Sequence, residues 1–188
     1  MDMKTKEMIL KNCTVSGQIT VPDVTVDKEN IKVVMINEVP VLDTDYAKTI
    51  LPLFKNAGVA CANSSDLVDM GIYVTSAIKT QKTGYTVDTS VIIAHLPILE
   101  YELDMFDNVK VIMLMGDVAK KAFNMIAKKR TKKNVIPSGS TYRIRTDEFY
   151  YGDIRVFPSY IITGGNILIE KSKCTMITDD ITRMMKLI

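Results

Sequence analysis

Polar side chains follow several short apolar runs of this 188-residue chain, at positions where a carboxylate, a hydroxyl or an amine can do chemistry. Glu38 follows one such run, and a carboxylate there can orient a water molecule or stabilise a developing positive charge. Ser76 and Lys79 follow a second run, and Ser159 follows a third. These residues can act together only if the fold brings the ends of the three runs to one place.

Three continuous apolar segments, residues 31–36, 71–77 and 109–115, have the length and composition of buried parallel strands. Residues 140–156 are expected to form two further short strands, joined by a tight turn at Gly152. The chain therefore supplies strands for one sheet, with polar residues at several of their carboxyl ends.

Helical patterns lie between and after these strands. The first predicted helix begins at Asp43 or Thr44, ends near Gly58, and must kink or divide at Pro52. Further helices are predicted at residues 90–106 with an interruption at Pro97, from the N-cap Asp117 onward, and at residues 174–187.

Strands that alternate with helices predict the α/β class, here a three-layer α/β/α sandwich with a mainly parallel central sheet. We expect one domain over residues 1–188, with an N-terminal helix and loop at 1–30, a core at 31–160, and a C-terminal segment and helix at 161–188. Ligands of such sheets bind beyond the carboxyl ends of the strands. The site is therefore expected just after Ile36, Thr75, Met115 and Val156.

Composition and cysteine spacing are typical of one compact intracellular domain. Hydrophobic residues make up 47% of the chain and charged residues 24%, which argues against disorder. Cys13, Cys61 and Cys174 form no CxxC pair, so we expect reduced thiols in a cytoplasmic protein. No apolar run approaches the roughly 18 residues of a membrane span, and the N-terminus lacks the apolar core of a secretory signal. We therefore expect no membrane partner.

Positive charge is concentrated between Val118 and Tyr160. This segment holds ten basic and three acidic residues, a net charge of +7 in a chain whose total is +2. A surface of this kind binds phosphates by releasing their counterions, so the segment predicts contact with nucleic acid. The alternative is a solvated, lysine-rich helix end. The expected contacts with the nucleic-acid backbone come from Lys128, Lys129, Arg130, Lys132 and Lys133.

Four short motifs, in their order and spacing, carry a resemblance to a known family. Residues 37–41 (Asn-Glu-Val-Pro-Val) are similar to a Gly-Glu-x-Pro-Gly motif, and residues 75–80 are similar to Thr-Asn-x-x-Lys-Cys. Residues 99–116 lead from a helix into a strand that ends in glycine, and residues 157–159 (Phe-Pro-Ser) are similar to His-Pro-Ser. Over roughly residues 31–160 the chain thus resembles the uracil-DNA glycosylase superfamily, and in particular its iron–sulfur-type members.

This resemblance implies a DNA-repair activity, in which a damaged base is flipped out of DNA and its N-glycosidic bond is hydrolysed. Glu38 would position the attacking water, and the alternative is a loop carboxylate bonded to nearby backbone amides. Lys79 and the basic segment would hold the DNA backbone. The residues implied in binding the substrate are Asn37, Pro40, Tyr46, Ser76, Lys79, Phe157, Pro158 and Ser159.

Several positions depart from the family pattern, and the departures have chemical consequences. Phe157 replaces the catalytic histidine and cannot donate a hydrogen bond to the departing base, a loss that costs about 10²–10³ in rate. Its ring could instead stack on a base or close the core. Ser76 replaces an asparagine that reads the base edge, and a hydroxyl cannot form the same two-point pairing. Asn37 and Val41 replace glycines that allow close approach of the backbone. Tyr46 is either an aromatic platform for the base or a helix-packing residue.

The iron–sulfur cluster of these relatives is held by four cysteines, which this chain does not supply. Cys13 has no CxxC partner, Thr80 stands at the third position, and His95 lies near the fourth. Such a cluster needs about four protein ligands, so we expect no metal and no other cofactor. Three functions stay open. They are a DNA glycosylase, a catalytically inactive nucleic-acid-binding module on the same fold, and a protein that binds a nucleobase or another small molecule in the strand-end pocket.

Overall fold

The computed structural model describes residues 2–14, 17–82, 84, 86–163 and 170–188. In chain order, the elements are β1 (Asp2–Lys4), α1 (Thr5–Asn12), β2 (Thr25–Asp27), β3 (Val33–Asn37), α2 (Asp43–Asp45), a π-helical turn (Tyr46–Ile50), α3 (Leu51–Asn56), α4 (Ser64–Asp69), β4 (Ile72–Ser76), α5 (Thr89–Asp104), β5 (Val111–Met115), α6 (Asp117–Thr131), α7 (Thr141–Ile144), β6 (Phe149–Tyr151), β7 (Ile154–Ser159) and α8 (Lys171–Met185).

A five-stranded sheet forms the centre of the fold, with the strand order β4-β3-β5-β7-β6. The strands β3, β4, β5 and β7 run parallel, and β6 pairs antiparallel with β7 across the predicted turn at Gly152, whose φ is +59°. Helices cover both faces of this sheet. The prediction of an α/β/α sandwich with a mainly parallel sheet is confirmed.

Both faces of β3, β4 and β5 are covered, and every residue of these strands is buried. This explains why their sequences are continuous apolar runs rather than alternating patterns. Val34 and Ile36 of β3 lie in a core shared with α1, α5 and α6. Val33 and Met35 lie in a second core, which α3, α4 and α8 complete on the opposite face.

The register of the parallel strands aligns their carboxyl ends. Asn37 of β3 lies opposite both Ser76 of β4 and Met115 of β5, and Met115 lies opposite Ser159 of β7. These four residues form one row at the carboxyl edge of the sheet. The segments that follow them all leave from this edge, where ligands of parallel sheets bind.

Two prolines affect their helices differently. Pro52 lies in the first turn of α3, directly after the π-helical turn, and this position tolerates the missing N–H of proline. The predicted division at Pro52 thus takes the form of a change in helix type. Pro97 lies inside α5, which continues through it, so the predicted interruption there is wrong.

Other local differences arise where short patterns are ambiguous. Residues 141–144 form α7 rather than strand, because Thr141 and Ile144 bury one side of a helical turn, and β6 begins only at Phe149. The N-terminal segment contains the strand pair β1–β2 in addition to the expected helix. α4 was not predicted, although Asn63 and Asp66 form a capping box that marks its start.

The C-terminal helix α8 begins at Lys171, three residues before the predicted position, and ends at Met185. Residues 164–169 of the predicted C-terminal segment lie outside the described residues. Among the helices that the structure describes, none has both the length and the apolar character needed to cross a membrane.

Candidate functional site

A cavity of about 230 Å³ lies at the carboxyl edge of the sheet, beside the edge strand β4. Three of the predicted substrate-binding residues, Pro40, Tyr46 and Ser76, line it together. The chain reaches this cavity from several distant segments. The lining residues are Thr20, Val21, Pro22, Asp23, Val24, Pro40, Val41, Asp43, Tyr46, Ser64, Val74, Thr75 and Ser76.

The aromatic wall of the cavity comes from Tyr46 on the π-helical turn. Burial, followed by the negative charge of Asp43, raises the pKa of Tyr46 to about 12. The phenol is therefore neutral over the whole physiological pH range and keeps its O–H donor. The neighbouring loop is held by Gln81, whose side-chain amide donates to the backbone oxygen of Pro40 at 3.2 Å.

A buried ion pair supports the β4 wall from behind. Lys79 is fully buried and pairs with Glu102 of α5, which is also fully buried. The Lys79 ammonium donates to Thr75 Oγ1 at 2.9 Å and to the backbone oxygen of Ser76 at 2.6 Å. Glu102 Oε1 accepts from the Thr75 hydroxyl at 2.7 Å and from the Tyr73 hydroxyl at 2.9 Å.

Burial lowers the pKa of Lys79, and the negative charge of Glu102 opposes that shift. Lys79 was predicted to contact substrate or DNA, but its side chain has no exposed surface in the structure. That contact stays a prediction. In this structure Lys79 holds Thr75 and Ser76, which line the cavity, and its own ammonium is enclosed behind them.

Hydrogen bonds within the chain also orient the polar groups at the strand ends. The Ser76 hydroxyl donates to the backbone oxygen of Ile78 at 2.7 Å, so its oxygen lone pairs are what it can offer to a ligand. Asn37 is fully buried, and its amide donates to the backbone oxygen of Thr75 at 3.3 Å. Asn37 Oδ1 has no hydrogen-bond partner among the described residues.

The carboxylate of Glu38 points toward the turn between β5 and α6 and does not line the cavity. Glu38 is 3% exposed, and its Oε1 accepts from the backbone N–H of Val118 at 3.1 Å. Lys82 pairs with Oε2. Of the two roles considered for Glu38, these contacts match the carboxylate bonded to backbone, and the catalytic role stays a prediction.

The close approach of Glu38 to this turn depends on Gly116. Its φ is +103°, and a Cβ there would lie 2.5 Å from Glu38 Oε1 and 2.6 Å from Ile161 Cγ1. A side chain would therefore occupy the space that the carboxylate fills. Gly116 at the end of β5 contributed to the resemblance. In this chain its missing side chain leaves room for the Glu38 carboxylate.

Residues 157–159 do not line the cavity. Phe157 is 2% exposed and packs in the core under α8, with the guanidinium groups of Arg155 and Arg183 lying 4.8 and 5.4 Å from its ring centroid. Pro158 is buried in β7 opposite Leu114 of β5. Of the two roles considered for Phe157, its contacts match the core aromatic.

The Ser159 hydroxyl is buried and donates to Asp180 Oδ2 of α8 at 2.6 Å. Burial raises the pKa of Asp180, and its bonds to Ser159, Arg145 and Arg183 oppose that shift. Asp180 forms ion pairs with both arginines. This buried network fastens the end of β7 to α8, on the side of the sheet opposite α6.

Residues 128–133 of the predicted basic segment lie at the amino edge of the sheet, opposite the edge that holds the cavity. α6 starts at the carboxyl edge, and its 15 residues carry the chain about 22 Å away. Arg130 accordingly lies beside Val109 and Ile154, which flank the amino ends of β5 and β7. Residues 128–133, which were predicted to contact nucleic acid, are therefore not adjacent to the cavity.

Acidic residues of α5 partly neutralise this segment. Lys129 and Arg130 pair with Glu100, and Arg130 also pairs with Asp104. The side chains of Lys128, Lys132 and Lys133 are exposed. Their contact with nucleic acid stays a prediction.

His95 and Cys13, which were compared with the ligands of the iron–sulfur cluster, have surroundings that the structure describes. His95 Nδ1 lies 2.9 Å from the backbone oxygen of Val91, one turn earlier in α5. Cys13 is half-buried, and burial is the main reason that its pKa is raised. Within the described parts of the chain, no three His, Cys, Asp or Glu side chains are grouped closely enough to hold a metal ion.

Sequence reasoning did not identify Lys82 or Glu102 as parts of this site. Glu102 follows Ile98 and Leu99 at helical spacing, which places it on the buried face of α5 and implies a buried cationic partner. That signal was available in the sequence. Nothing in the local sequence indicates that Lys82 pairs with Glu38, which lies 44 residues away.

No protein-family model and no curated protein matches the chain. The resemblance to uracil-DNA glycosylases therefore rests on the short motifs alone.

The substitution Gly116→Ala is expected to lower the free energy of unfolding. The backbone conformation alone accounts for about 1–3 kcal/mol, and the new Cβ must also displace Glu38. Gly152→Ala is the control for positive φ without a steric contact, because nothing lies within 4 Å of the added Cβ. Its φ of +59° is less restrictive for alanine than the φ of +103° at Gly116, so part of the difference reports backbone strain. Urea unfolding of both variants measures the difference. Equal losses would contradict the packing of Glu38 against Gly116.

The substitution Lys79→Met is expected to lower the free energy of unfolding by about 3–5 kcal/mol, since it leaves Glu102 as an unpaired buried carboxylate. The double variant Lys79→Met/Glu102→Gln should lose less than Lys79→Met alone. The glutamine oxygen can still accept from Tyr73 and Thr75 without a buried charge. Chemical denaturation of the three proteins measures the two losses. A double variant less stable than Lys79→Met would show that the pair is not the main interaction.

Proposed function

We propose that the cavity beside β4 binds a nucleobase, and that the protein acts like a uracil-DNA glycosylase in presenting this cavity to DNA. The observation that carries the proposal is the convergence of Pro40, Tyr46 and Ser76 on one cavity from three separate segments. The motif resemblance implies a substrate role for the same three residues.

The chemistry of the walls suits a flat, polar heterocycle. The rings of Tyr46 and Pro40 and the side chain of Val74 offer surfaces for the faces of a base. The hydroxyl oxygen of Ser76 and the carboxylate of Asp43 offer hydrogen-bond acceptors for its edges. Apolar walls with a few converging polar groups are typical of sites for small molecules. The volume of about 230 Å³ favours a single base over a longer ligand.

A base within a duplex can reach such a cavity only after it leaves the stack, so the DNA substrate is one in which the base is extruded or unpaired. The basic residues 128–133 at the opposite edge are poorly placed to hold the flanking phosphates. Lys48 is exposed on the same π-helical turn as Tyr46 and could contact one of them. Because unpaired bases require no extrusion, single-stranded DNA is the preferred test substrate.

The substitution Tyr46→Ala is expected to weaken binding of a uracil-containing single-stranded oligonucleotide by about 5- to 150-fold, since stacking on an aromatic ring contributes about 1–3 kcal/mol per base. Fluorescence anisotropy at fixed ionic strength measures the affinity. Tyr142→Ala is the matched control, because Tyr142 is 71% exposed and lies outside the cavity. The same oligonucleotide with an abasic site should bind more weakly to the wild type. Equal affinities of the wild type and the Tyr46→Ala variant would refute a base in this cavity.

Hydrolysis of the N-glycosidic bond is the second candidate, and one observation favours it. Glu38 lies two residues before Pro40, at the same sheet edge, and its carboxylate is buried and held in place by the Val118 N–H and Lys82. Water would add to the sugar carbon, and the base would leave with the electron pair of the broken bond. Lys82 would have to release the carboxylate before Glu38 could orient that water.

If Glu38 acts in this way, Glu38→Gln should lower the single-turnover rate of base release from uracil-containing DNA by about 10²-fold or more. Glutamine keeps an oxygen that can accept from Val118 but loses the ion pair with Lys82, so thermal unfolding of the variant is measured as well, to separate lost chemistry from lost folding. Release is measured on single- and double-stranded DNA. Cleavage by the wild type no faster than by the Glu38→Gln variant would leave base binding as the function and remove the hydrolytic step.

A further inference from the structure

A second cavity, of about 400 Å³, lies between the β6–β7 hairpin and the end of α8. It is distant from the candidate nucleobase site, since Lys110 precedes β5 and Arg155 lies near the start of β7, both at the amino edge of the sheet. The lining residues are Lys110, Thr146, Glu148, Tyr150, Asp153, Arg155, Phe157, Arg183 and Leu187. Phe157 is the one lining residue that the motif resemblance involves, and the proposed function does not use this cavity.

Arg155 is a buried cation without a carboxylate partner among the described residues. It is 7% exposed, and its one hydrogen bond from Nη2 goes to the backbone oxygen of Asp147 at 3.2 Å. The guanidinium lies 4.8 Å from the ring centroid of Phe157 and 5.2 Å from that of Tyr150. Arg155 Nη1 is buried and has no hydrogen-bond partner in the described part of the chain.

A buried charge is normally paired, because removing it from water is costly and a neutral carbonyl compensates only in part. Glu148 and Asp153 also line the cavity, but both are exposed and neither forms an ion pair with Arg155. The stacked rings stabilise the cation by contact with their faces. They leave the in-plane donor Nη1 unsatisfied, and this donor suits an external acceptor.

Two further cations lie at the same cavity. Arg183 stacks on the ring of Phe157 at 5.4 Å, and its Nε is buried without a hydrogen-bond partner among the described residues. Its charge is nevertheless balanced, because Nη2 pairs with Asp180 and Nε lies 3.6 Å from Asp179 Oδ2. Lys110 is exposed and lines the cavity from the position just before β5. Arg155 is therefore the buried cation at this cavity whose charge an external anion would balance, and Lys110 adds an exposed positive charge.

We propose that this cavity binds the phosphate group of a small molecule. Planar guanidinium groups match the oxygens of a phosphate through parallel hydrogen bonds, and a lysine adds a mobile point charge. A doubly charged group also suits the cations Arg155 and Lys110 better than a carboxylate does, whereas the charge of Arg183 is balanced by Asp180. Tyr150 covers Arg155 and is itself 54% exposed, so rotation of its ring would open Nη1 to the ligand.

The test is an NMR titration of the full chain with inorganic phosphate, at constant ionic strength, with acetate and chloride in parallel. The wild type should bind phosphate saturably and more tightly than acetate. Arg155→Gln should weaken binding by about tenfold or more, because a charge-assisted hydrogen bond is lost. Lys110→Ala should weaken it by about threefold or more. It serves as the second variant, since an exposed lysine can be truncated without unfolding the chain.

Lys133→Ala is the matched control, since it removes one exposed positive charge just after α6, outside the cavity. Its phosphate affinity should equal that of the wild type. Equal weakening by Lys110→Ala and Lys133→Ala would overturn the proposal, because it would indicate a general effect of net charge. Binding of phosphate no tighter than acetate would overturn the assignment of the ligand.

Discussion

Burial of the parallel sheet on both faces confines its polar side chains to the strand ends, where each must find a partner. The partners lie on different helices, so these contacts fasten the carboxyl edge to α6, α5 and α8. The three central contacts are Glu38 with the Val118 N–H and Lys82, Lys79 with Glu102, and Ser159 with Asp180. Residues at or just beyond the carboxyl ends of three strands thus belong to three separate groups, each satisfied by its own partners.

This separation determines which chemistry the edge can perform. Among the described residues, a cavity opens at this edge on the β4 side, where Tyr46 and the segment 20–24 leave space against Thr75 and Ser76. The carboxylate that hydrolysis would need lies outside this cavity and is paired with Lys82. Base recognition would therefore require only the geometry that is present, whereas bond cleavage would require the carboxylate to be released. The two proposed functions can be distinguished because they would use different parts of the same edge.

The resemblance predicted substrate contacts for Pro40, Tyr46 and Ser76, which line the cavity, but it could not assign partners to the other residues. Phe157 occupies a position that a resemblance alone would place in the site, yet its ring packs under α8 between two guanidinium groups. The short motif indicates where Phe157 lies in the strand, but it carries no information about how α8 packs against that strand. The basic residues of α6 show the same limit, because a 15-residue helix carries them from the carboxyl edge of the sheet to the amino edge.

The amino-acid sequence by itself determined the parallel strands of the central sheet, most of the helices and the layer architecture, because hydrophobic runs and caps act over a few residues. It also located the carboxyl edge, since parallel strands must end together. Only the tertiary structure decided which polar side chains meet there. Lys82 and Glu38 are 44 residues apart, and Lys79 and Glu102 are 23 apart. Such pairs form because buried charges require partners, and the packing of the helices selects which partner is within reach.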